Sequence, residues 1–287
     1  MDQQKKHPIL SFLFKLSIFA FIFLLGFGLA KRYFGKEGIG SKNIGVIEIE
    51  GIIKTSQFNL EQLVKFRKNN QIKAVLLRID SPGGAVVPSQ ELYMEILKLR
   101  QQKPVVASLG NVAASGGYYI ASAANKIVAA PGTLTGSIGV KIEFANIEQL
   151  LKKLGIQPTV IKSVPYKDIG SPVREMTKEE KTMLEKLVKN IHSQFVKDIA
   201  KGRNMPIKQV ESIANGSIFT GQEAKKLGLV DQLGNFEDAI RLAAKLGKIK
   251  EEPRLLYPKK KSPWMKLLTE SLFETLSKYI QQTKIVY

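Results

Sequence analysis

Apolar residues in the middle of the chain alternate between short continuous runs and longer stretches with helical spacing. Four runs are β-branched or continuously apolar, as strands buried in a parallel sheet are: Gly45–Glu50, Lys73–Asp80, Pro104–Leu109 and Lys126–Ala129. The stretches between the runs predict three helices: Asn59–Asn69, Ser89–Gln102 and Ser115–Ala124. This βαβ alternation predicts an α/β fold in which helices cover a mainly parallel sheet.

A long helix is predicted over Thr177–Gly202. Thr177 and Glu180 have the spacing of a capping box, in which each side chain bonds the other residue's backbone N–H. An apolar stripe along the helix indicates packing against a core: Leu184, Leu187, Val188, Ile191, Phe195 and Ile199. A further pair of one helix and one strand is predicted over Gly221–Val230 and Phe236–Leu246.

The segment Ile9–Ala30 is apolar except for Lys15 and two serines. At about 1.5 Å per helical residue it is long enough to span a hydrocarbon core of about 30 Å. A cleaved signal peptide is the alternative, because a basic Met1–Lys6 precedes the segment and Gly-Leu-Ala ends it. The length of the apolar run and the lack of an A-x-A site favour an uncleaved transmembrane anchor.

These patterns predict five parts of the chain. Residues 1–8 form a cytoplasmic N-terminus, 9–30 the anchor, 31–44 a linker, 45–250 the main domain and 251–287 a basic amphipathic tail. The tail opens with three lysines, Lys259–Lys261, and continues with apolar residues at helical spacing. This spacing is typical of packing, within the core or in an oligomer, and also of docking on a membrane surface, and both alternatives stay open.

Charge and composition narrow the possible partners and chemistry. The chain of 287 residues has 44 Lys+Arg against 25 Asp+Glu, a net charge of +19. Much of the excess flanks the two most membrane-like stretches, which favours lipid headgroups over nucleic acid as the partner. The chain has no cysteine, which excludes disulfides, thiolate metal sites and a cysteine nucleophile. We expect no metal and no cofactor.

Histidine-based catalysis has little support in the sequence. The two histidines are His7, before the apolar segment, and His192, on the long amphipathic helix. A serine-histidine triad would have to use His192, and its place on the helix predicts an ordinary, partly exposed residue. The sequence contains no H-E-x-x-H, P-loop or G-x-S-x-G motif.

Three loops rich in Gly and Ser follow or flank predicted strands: Asp80–Gly84, Asn111–Tyr119 and Thr133–Gly139. A Pro-Gly-Gly turn leaves backbone N–H groups unshielded, which an oxyanion site requires. Ser115 lies where a strand gives way to a helix, so the helix N-terminus would stabilise negative charge there. Taken singly, these features equally describe a turn and an N-cap.

These loops, together with Tyr166–Pro172, resemble the signal peptide peptidase A family of serine-lysine peptidases (peptidase family S49, protease IV-like) in its short, half-length form. The similarity covers most of residues 45–245, in the ordered motifs DSPGG, AASGGYYIA, TLTGSIGV, YKDIGSPVREMT, KGR and GLVDQLG. The resemblance implies a crotonase/Clp-protease-like spiral of ββα units. It implies Ser115 as nucleophile, Lys167 as general base and Ser137 as the hydroxyl that orients the lysine. It also implies that Gly83 or Gly84, together with Gly116, supplies the oxyanion donors.

The implied lysine base makes a physical demand on its surroundings. A lysine acts as a base only when neutral, and with a reference pKa of about 10.4 well under 1% is neutral at pH 7. Its site must therefore be apolar and poor in anions, so that the pKa falls. Because the neighbouring carboxylate of Asp168 would oppose this, we predict that the Asp168 side chain points away from Lys167.

The resemblance implies a membrane-anchored serine endopeptidase that degrades cleaved signal peptides and other hydrophobic or unfolded peptides. The N-terminus would lie in the cytoplasm and the catalytic domain outside the cytoplasmic membrane. The implied assembly is a homo-oligomeric ring, in which Lys167 can serve Ser115 of the next copy, and whose enclosed sites the C-terminal tail could reach as a self-substrate or plug. Three alternatives stay open: a membrane quality-control protease, a crotonase-like enzyme acting on acyl thioesters, and a non-catalytic membrane scaffold.

Overall fold

The computed structural model describes residues 8–34 and 43–258, and the chain divides into two units on either side of residue 42. The first unit contains helix α1, Pro8–Phe34. A helix was predicted over 9–30, and α1 confirms it. Within the part of the chain that the structure describes, no helix has both the length and the apolar character required to cross a membrane. The prediction of a membrane-spanning anchor is therefore not supported.

The second unit begins at Asn43 and alternates strands with helices. Its strands are β1 (Ile44–Glu50), β2 (Ala74–Ser81), β3 (Val105–Ala114), β4 (Lys126–Ala129), β5 (Leu134–Gly136), β6 (Ile218–Thr220), β7 (Gln232–Leu233) and β8 (Leu255–Leu256). Its helices are α2 (Gln57–Lys68), α3 (Val86–Arg100), α4 (Gly116–Ser122), α5 (Glu148–Lys153), α6 (Lys178–Arg203), α7 (Ile207–Ile213), α8 (Gly221–Lys226) and α9 (Phe236–Leu246), and a 3₁₀ turn covers Pro165–Asp168.

The strands form one sheet in the order β6-β5-β3-β2-β1-β8, and β4 pairs with both β3 and β7. The described pairings are parallel except for β5 with β6. The predicted α/β fold with a mainly parallel sheet is thus confirmed. The finer prediction of a ββα spiral remains a prediction.

Two apolar clusters cover the two faces of the sheet. On one face, Ile47, Leu77 and Ala107 pack with buried residues of α2, α3, α4 and α6. On the other face, Val46 and Leu76 pack with the buried side of α9. Because both faces are covered, the central strands carry apolar residues at consecutive positions, which explains the continuous runs in the sequence.

Several predicted boundaries differ from the structure. Phe236–Leu246 is helix α9 rather than a strand, and its capping box at Asn235 and Asp238 accounts for its start. The strand of that region is β7, only two residues long. Strand β8 pairs with β1 at the sheet edge, so the fold continues beyond the predicted limit at residue 250. Residues 259–287 of the predicted tail, most of the predicted linker and residues 1–7 lie outside the described ranges.

Helix α6 begins as predicted, because Thr177 and Glu180 form the complete capping box. Its apolar stripe is only partly core. Phe195 and Ile199 are buried, whereas Leu187 is 49% exposed. The C-terminal half of α6 therefore packs against the core, whereas Leu187 in the N-terminal half stays exposed to solvent.

Candidate active site

Ser115 occupies the junction between β3, which ends at Ala114, and α4, which begins at Gly116. Its backbone has φ 52° and ψ −121°, a region that residues with a Cβ seldom adopt. Two hydrogen bonds hold it there: its N–H donates to the Gly136 carbonyl at 2.8 Å, and its carbonyl accepts from the Tyr119 N–H at 2.8 Å. Among the described residues, none hydrogen-bonds the Ser115 hydroxyl. The strained conformation thus presents an unengaged hydroxyl at the N-terminus of a helix.

Ser137 lies beside Ser115 because of the strand register. Strand β5 pairs with β3 so that Ala114 is opposite Gly136, and the two serines are the next residues of each strand. Ser137 also has a left-handed backbone, with φ 50°, and its N–H donates to the Ser217 carbonyl at 2.7 Å. Its hydroxyl likewise has no hydrogen-bond partner in residues 43–258. The two hydroxyls therefore share one end of the sheet.

The Pro-Gly-Gly turn packs directly against the Ser115 junction. A Cβ built on Gly83 would lie 2.7 Å from the Gly116 nitrogen, and one built on Gly116 would lie 3.4 Å from the Gly84 nitrogen. The Gly83 N–H is already used, since it donates to the Ser81 hydroxyl at 3.1 Å. In the described part of the chain, the N–H groups of Gly84 and Gly116 have no acceptor. Both N–H groups are therefore free to donate a hydrogen bond, and they lie close to each other.

A cavity of about 780 Å³ opens at these residues. Its lining includes Ser115, Ser137, Gly84 and Gly116, and Gly83 is buried behind it. The structure thus brings four of the five predicted site residues of these loops to one cavity. The remaining lining includes six large apolar side chains: Val86, Ile138, Val140, Val188, Ile191 and Phe195.

Lys167 is placed apart from this cavity. It lies in the 3₁₀ turn Pro165–Asp168, its side chain is exposed, and it is not among the residues that line the cavity at Ser115. Within one copy of the chain, therefore, the described cavity contains the predicted nucleophile without the predicted base.

The Asp168 side chain forms ion pairs with residues other than Lys167. Its carboxylate pairs with Lys162 at 2.7 Å and with Arg174 at 2.8 Å. Among the described ion pairs, none joins it to Lys167, as predicted. Arg174 also pairs with Glu180 at 2.6 Å, the capping residue of α6. The network ties the turn that carries Lys167 to the start of α6.

This network holds its two carboxyl groups in the ionised form. Hydrogen bonds from Arg174 and then Lys162 hold the pKa of Asp168 far below its ordinary value. Hydrogen bonds from the Arg174 side chain and then the Thr177 backbone lower the pKa of Glu180 to about 2. Both carboxylates are charged at neutral pH and are occupied by partners of their own.

Tyr119 closes one side of the cavity as a neutral phenol. Burial, together with a hydrogen bond to Asp198, raises its pKa well above the ordinary value. Its hydroxyl donates to the Asp198 carboxylate, which is thereby engaged in the wall behind the ring. The described lining of the cavity includes no Asp and no Glu.

Sequence reasoning did not identify the two basic residues of α6 that line the cavity. His192 was predicted to be an ordinary helix residue, but it lines the cavity at Ser115 and its Nε2 atom is buried without a hydrogen-bond partner among the described residues. Lys189, one turn earlier on α6, lines the same cavity. The only signal in the sequence was their position beside the apolar stripe of α6.

Comparisons with known proteins identify the family of the chain. Residues 98–250 match the model of peptidase family S49. The chain is 47% identical over 206 residues to a presumed protease of Synechocystis sp., an alignment that covers 71% of this chain and 74% of that protein. It is 38% identical to a presumed signal peptide peptidase A of Enterococcus faecium, covering 71% of this chain and 64% of the other. It is 39% identical to protease 4 of Salmonella typhi, covering 66% of this chain and 31% of that protein.

Among solved structures, the chain is similar to a point mutant of ClpP1 from Listeria monocytogenes, with a TM-score of 0.48 and 16% identity, covering 68% of this chain and 93% of the other. The chain aligns with less than two thirds of the Enterococcus and Salmonella relatives. The family match and the Synechocystis relative show that the chain belongs to peptidase family S49, and it is a serine-type peptidase.

Proposed function

We propose that this chain is a serine endopeptidase in which Ser115 attacks the scissile carbonyl and Lys167 of a neighbouring copy is the general base. The observation that carries the proposal is the Ser115 junction. A strained serine at a helix N-terminus, with an unengaged hydroxyl, faces a large cavity beside two free backbone N–H groups. This arrangement is what nucleophilic attack on a carbonyl requires.

The oxyanion donors in this proposal are the N–H groups of Gly84 and Gly116. Of the two glycines of the Pro-Gly-Gly turn, Gly83 is the weaker candidate, because its N–H donates to Ser81 and it lies behind the cavity wall. Gly84 lines the cavity, and its nitrogen would lie 3.4 Å from a Cβ on Gly116. Two N–H groups converging on one point stabilise an oxyanion without reorganisation.

The base is assigned to a neighbouring copy because Lys167 is exposed and does not line the cavity of its own chain. The surface around it carries apolar side chains open to solvent: Ile161 is 96% exposed, Val164 54% and Tyr166 49%. Exposed apolar surface of this kind marks an interaction site. A second copy docked on it would cover these side chains and bring Lys167 to another Ser115.

The cavity suits a lysine that must lose its proton. Its described lining has no carboxylate and includes Lys141 and Lys189. Burial in such a site and nearby positive charge both lower the pKa of an entering amine. In this proposal the Ser137 hydroxyl, which has no partner in the described residues, accepts a hydrogen bond from that amine and orients it.

The reaction follows from these placements. Neutral Lys167 takes the proton of the Ser115 hydroxyl, whose oxygen bonds to the scissile carbon while the Gly84 and Gly116 N–H groups hold the carbonyl oxygen as an anion. The tetrahedral intermediate collapses, the C–N bond breaks, and the leaving amine takes the proton from Lys167. Lysine, neutral again, then deprotonates a water whose oxygen bonds to the acyl carbon; the ester C–O bond breaks, and the Ser115 oxygen takes the proton back from Lys167.

The proposed substrates are hydrophobic or unfolded peptides, including cleaved signal peptides. The apolar wall of the cavity supports this class, and the Enterococcus relative is named for signal peptides. We further propose action at the cytoplasmic membrane, with the catalytic domain outside. The exposed apolar side chains of α1, such as Phe19 and Phe21, support an association with lipid. A quality-control role on membrane proteins would use the same site.

The test is hydrolysis of an internally quenched hydrophobic peptide by the full chain. Ser115→Ala and Lys167→Ala should each lower kcat/KM by at least about 1,000-fold. Lys153→Ala, an exposed lysine at the end of α5, is the matched control and should keep full activity. Full activity in Lys167→Ala would reject lysine as the base. Activity of Ser115→Ala on acyl thioesters would instead favour the crotonase-like alternative.

A further inference from the structure

Helix α6 forms one wall of the Ser115 cavity with a single face. Val188, Ile191, His192 and Phe195 follow at helical spacing and all line the cavity. Three of these side chains are apolar. His192 is therefore a polar group set among apolar neighbours, on the wall that a bound peptide would contact.

The His192 ring has an unmet requirement for a hydrogen bond. Its Nε2 atom is buried and has no partner among the described residues. A buried polar atom without a partner costs on the order of 1–3 kcal/mol, and native proteins seldom leave one without a purpose. The ring lines the cavity although Nε2 itself is covered, so a rotation of the imidazole about its soft χ2 torsion would turn Nε2 toward the cavity, where a bound molecule can supply the missing partner.

Lys189 indicates that the missing partner of His192 is negatively charged. It precedes His192 by three residues, so both lie on the same face of α6, and it is exposed where His192 is half-buried. Among the described ion pairs, none includes Lys189. Lys141 is the other lysine of the lining, and its amine is already paired with Glu143 at 2.7 Å. The described lining contains no Asp or Glu. A negatively charged group on a bound molecule would therefore complement the charge of this wall.

We propose that His192 and Lys189 form a subsite for a carboxylate of the bound peptide. Once the ring has turned, the Nε2 atom of His192 would donate to one carboxylate oxygen, and the exposed Lys189 ammonium would pair with the other. The carboxylate can belong to a Glu or Asp side chain or to the free C-terminus that a cleaved peptide carries. This subsite rests on the proposed function, because it assigns part of the substrate preference of the same cavity.

Matched peptides test the subsite. One pair has both ends blocked and differs only by Glu against Gln, placed in turn at each of three positions on either side of the scissile bond. A second pair keeps Gln and differs only by a free acid against an amide at the C-terminus. Wild type should favour the carboxylate member of at least one pair by about tenfold in kcat/KM, and the pair that responds identifies the source of the carboxylate.

Two variants test the residues. His192→Phe keeps a ring of similar size without a hydrogen-bonding atom, and Lys189→Gln removes only the charge. Each should bring the ratio of kcat/KM between the two members of the responding pair close to one, and a change in rate that both members share, such as one from the lost charge of Lys189, cancels in that ratio. Lys197→Gln, two turns further along α6 and outside the described cavity lining, is the charge-matched control and should keep the preference.

Binding separates this subsite from the chemistry. Ser115→Ala, which should cleave neither peptide, should still bind the carboxylate peptide more tightly by fluorescence anisotropy. A binding preference without any hydrolysis by wild type would contradict the proposed function and keep the subsite. Equal binding of both members of every pair would overturn the subsite. So would a preference unchanged in both variants, or loss of all hydrolysis in a correctly folded His192→Phe.

Discussion

The backbone N–H of Ser115 donates a hydrogen bond of 2.8 Å to the carbonyl of Gly136. This bond extends the β3–β5 ladder by one residue. The backbone of each strand takes a positive φ at the residue that follows it, Ser115 after β3 and Ser137 after β5. The bond also occupies the N–H of Ser115, so that group is not an oxyanion donor. In the proposed mechanism the donors are therefore the neighbouring glycines, Gly84 and Gly116.

Gly116→Ala tests the oxyanion site. The new Cβ would lie 2.6 Å from the Ser89 hydroxyl oxygen and 3.4 Å from the Gly84 nitrogen. We expect a loss of about 1–3 kcal/mol in the free energy of unfolding from overpacking. We also expect at least a 100-fold lower kcat/KM, roughly the effect of removing one oxyanion donor.

The double variant Ser89→Ala with Gly116→Ala separates these two effects. Removing the Ser89 hydroxyl relieves the closest contact, so part of the unfolding free energy should return in urea titrations. Activity should stay low, because the Cβ still lies 3.4 Å from the Gly84 nitrogen, beside the proposed oxyanion donors. Recovery of activity along with stability would show that Gly116 matters for packing alone.

Arg174→Gln tests the anchoring of the lysine. Arg174 bridges Asp168, the neighbour of Lys167, to Glu180 at the start of α6. Without the bridge, the turn that carries Lys167 should open more often, so amide hydrogen exchange over 162–176 should accelerate. Peptide hydrolysis should fall at least tenfold, since a small misplacement of a catalytic group is costly. Unchanged exchange and unchanged hydrolysis would show that the bridge does not position Lys167.

Acid should weaken the same network. The pKa values of Asp168 and Glu180 are lower in the folded protein than the ordinary values of about 4 that they regain on unfolding. Their contribution to stability is therefore complete above pH ~5 and is lost as pH falls from about 4 toward 2. Urea midpoints measured from pH 6 to pH 2.5 should fall, and Asp168→Asn should fall less over that interval. A wild-type midpoint that does not change between pH 5 and pH 2.5 would contradict these pKa shifts.

The sequence predicted much of the site because the strands are buried and parallel. The continuous apolar run located the end of β2 to within one residue, just before Gly84, whereas β3 continues to Ala114, five residues past the predicted end at Leu109 and directly before Ser115. The capping box of Thr177 and Glu180 likewise located the start of α6. The short strands β5 and β6 were missed as strands, because three residues give too short a pattern to read.

Other features depend on contacts that no local pattern contains. Whether Leu187 or Phe195 of one apolar stripe is buried is decided by what packs against α6. That His192 lines the Ser115 cavity is known only once the packing of α6 beside the Ser115 loop is known. Lys167 shows most clearly what a local pattern cannot predict, because its proposed catalytic partner belongs to another copy of the chain.

The most direct measurement mixes two inactive proteins. Ser115→Ala retains the lysine and Lys167→Ala retains the serine, so co-assembled copies can form a complete site only across an interface. If partners are chosen at random in a closed assembly, about a quarter of the sites are complete, and peptide hydrolysis should recover to roughly that fraction of wild type. Wild type co-assembled with the double variant is the control for dilution. Hydrolysis that stays at the level of the separate variants, in assemblies shown to contain both, would contradict a dyad shared between copies.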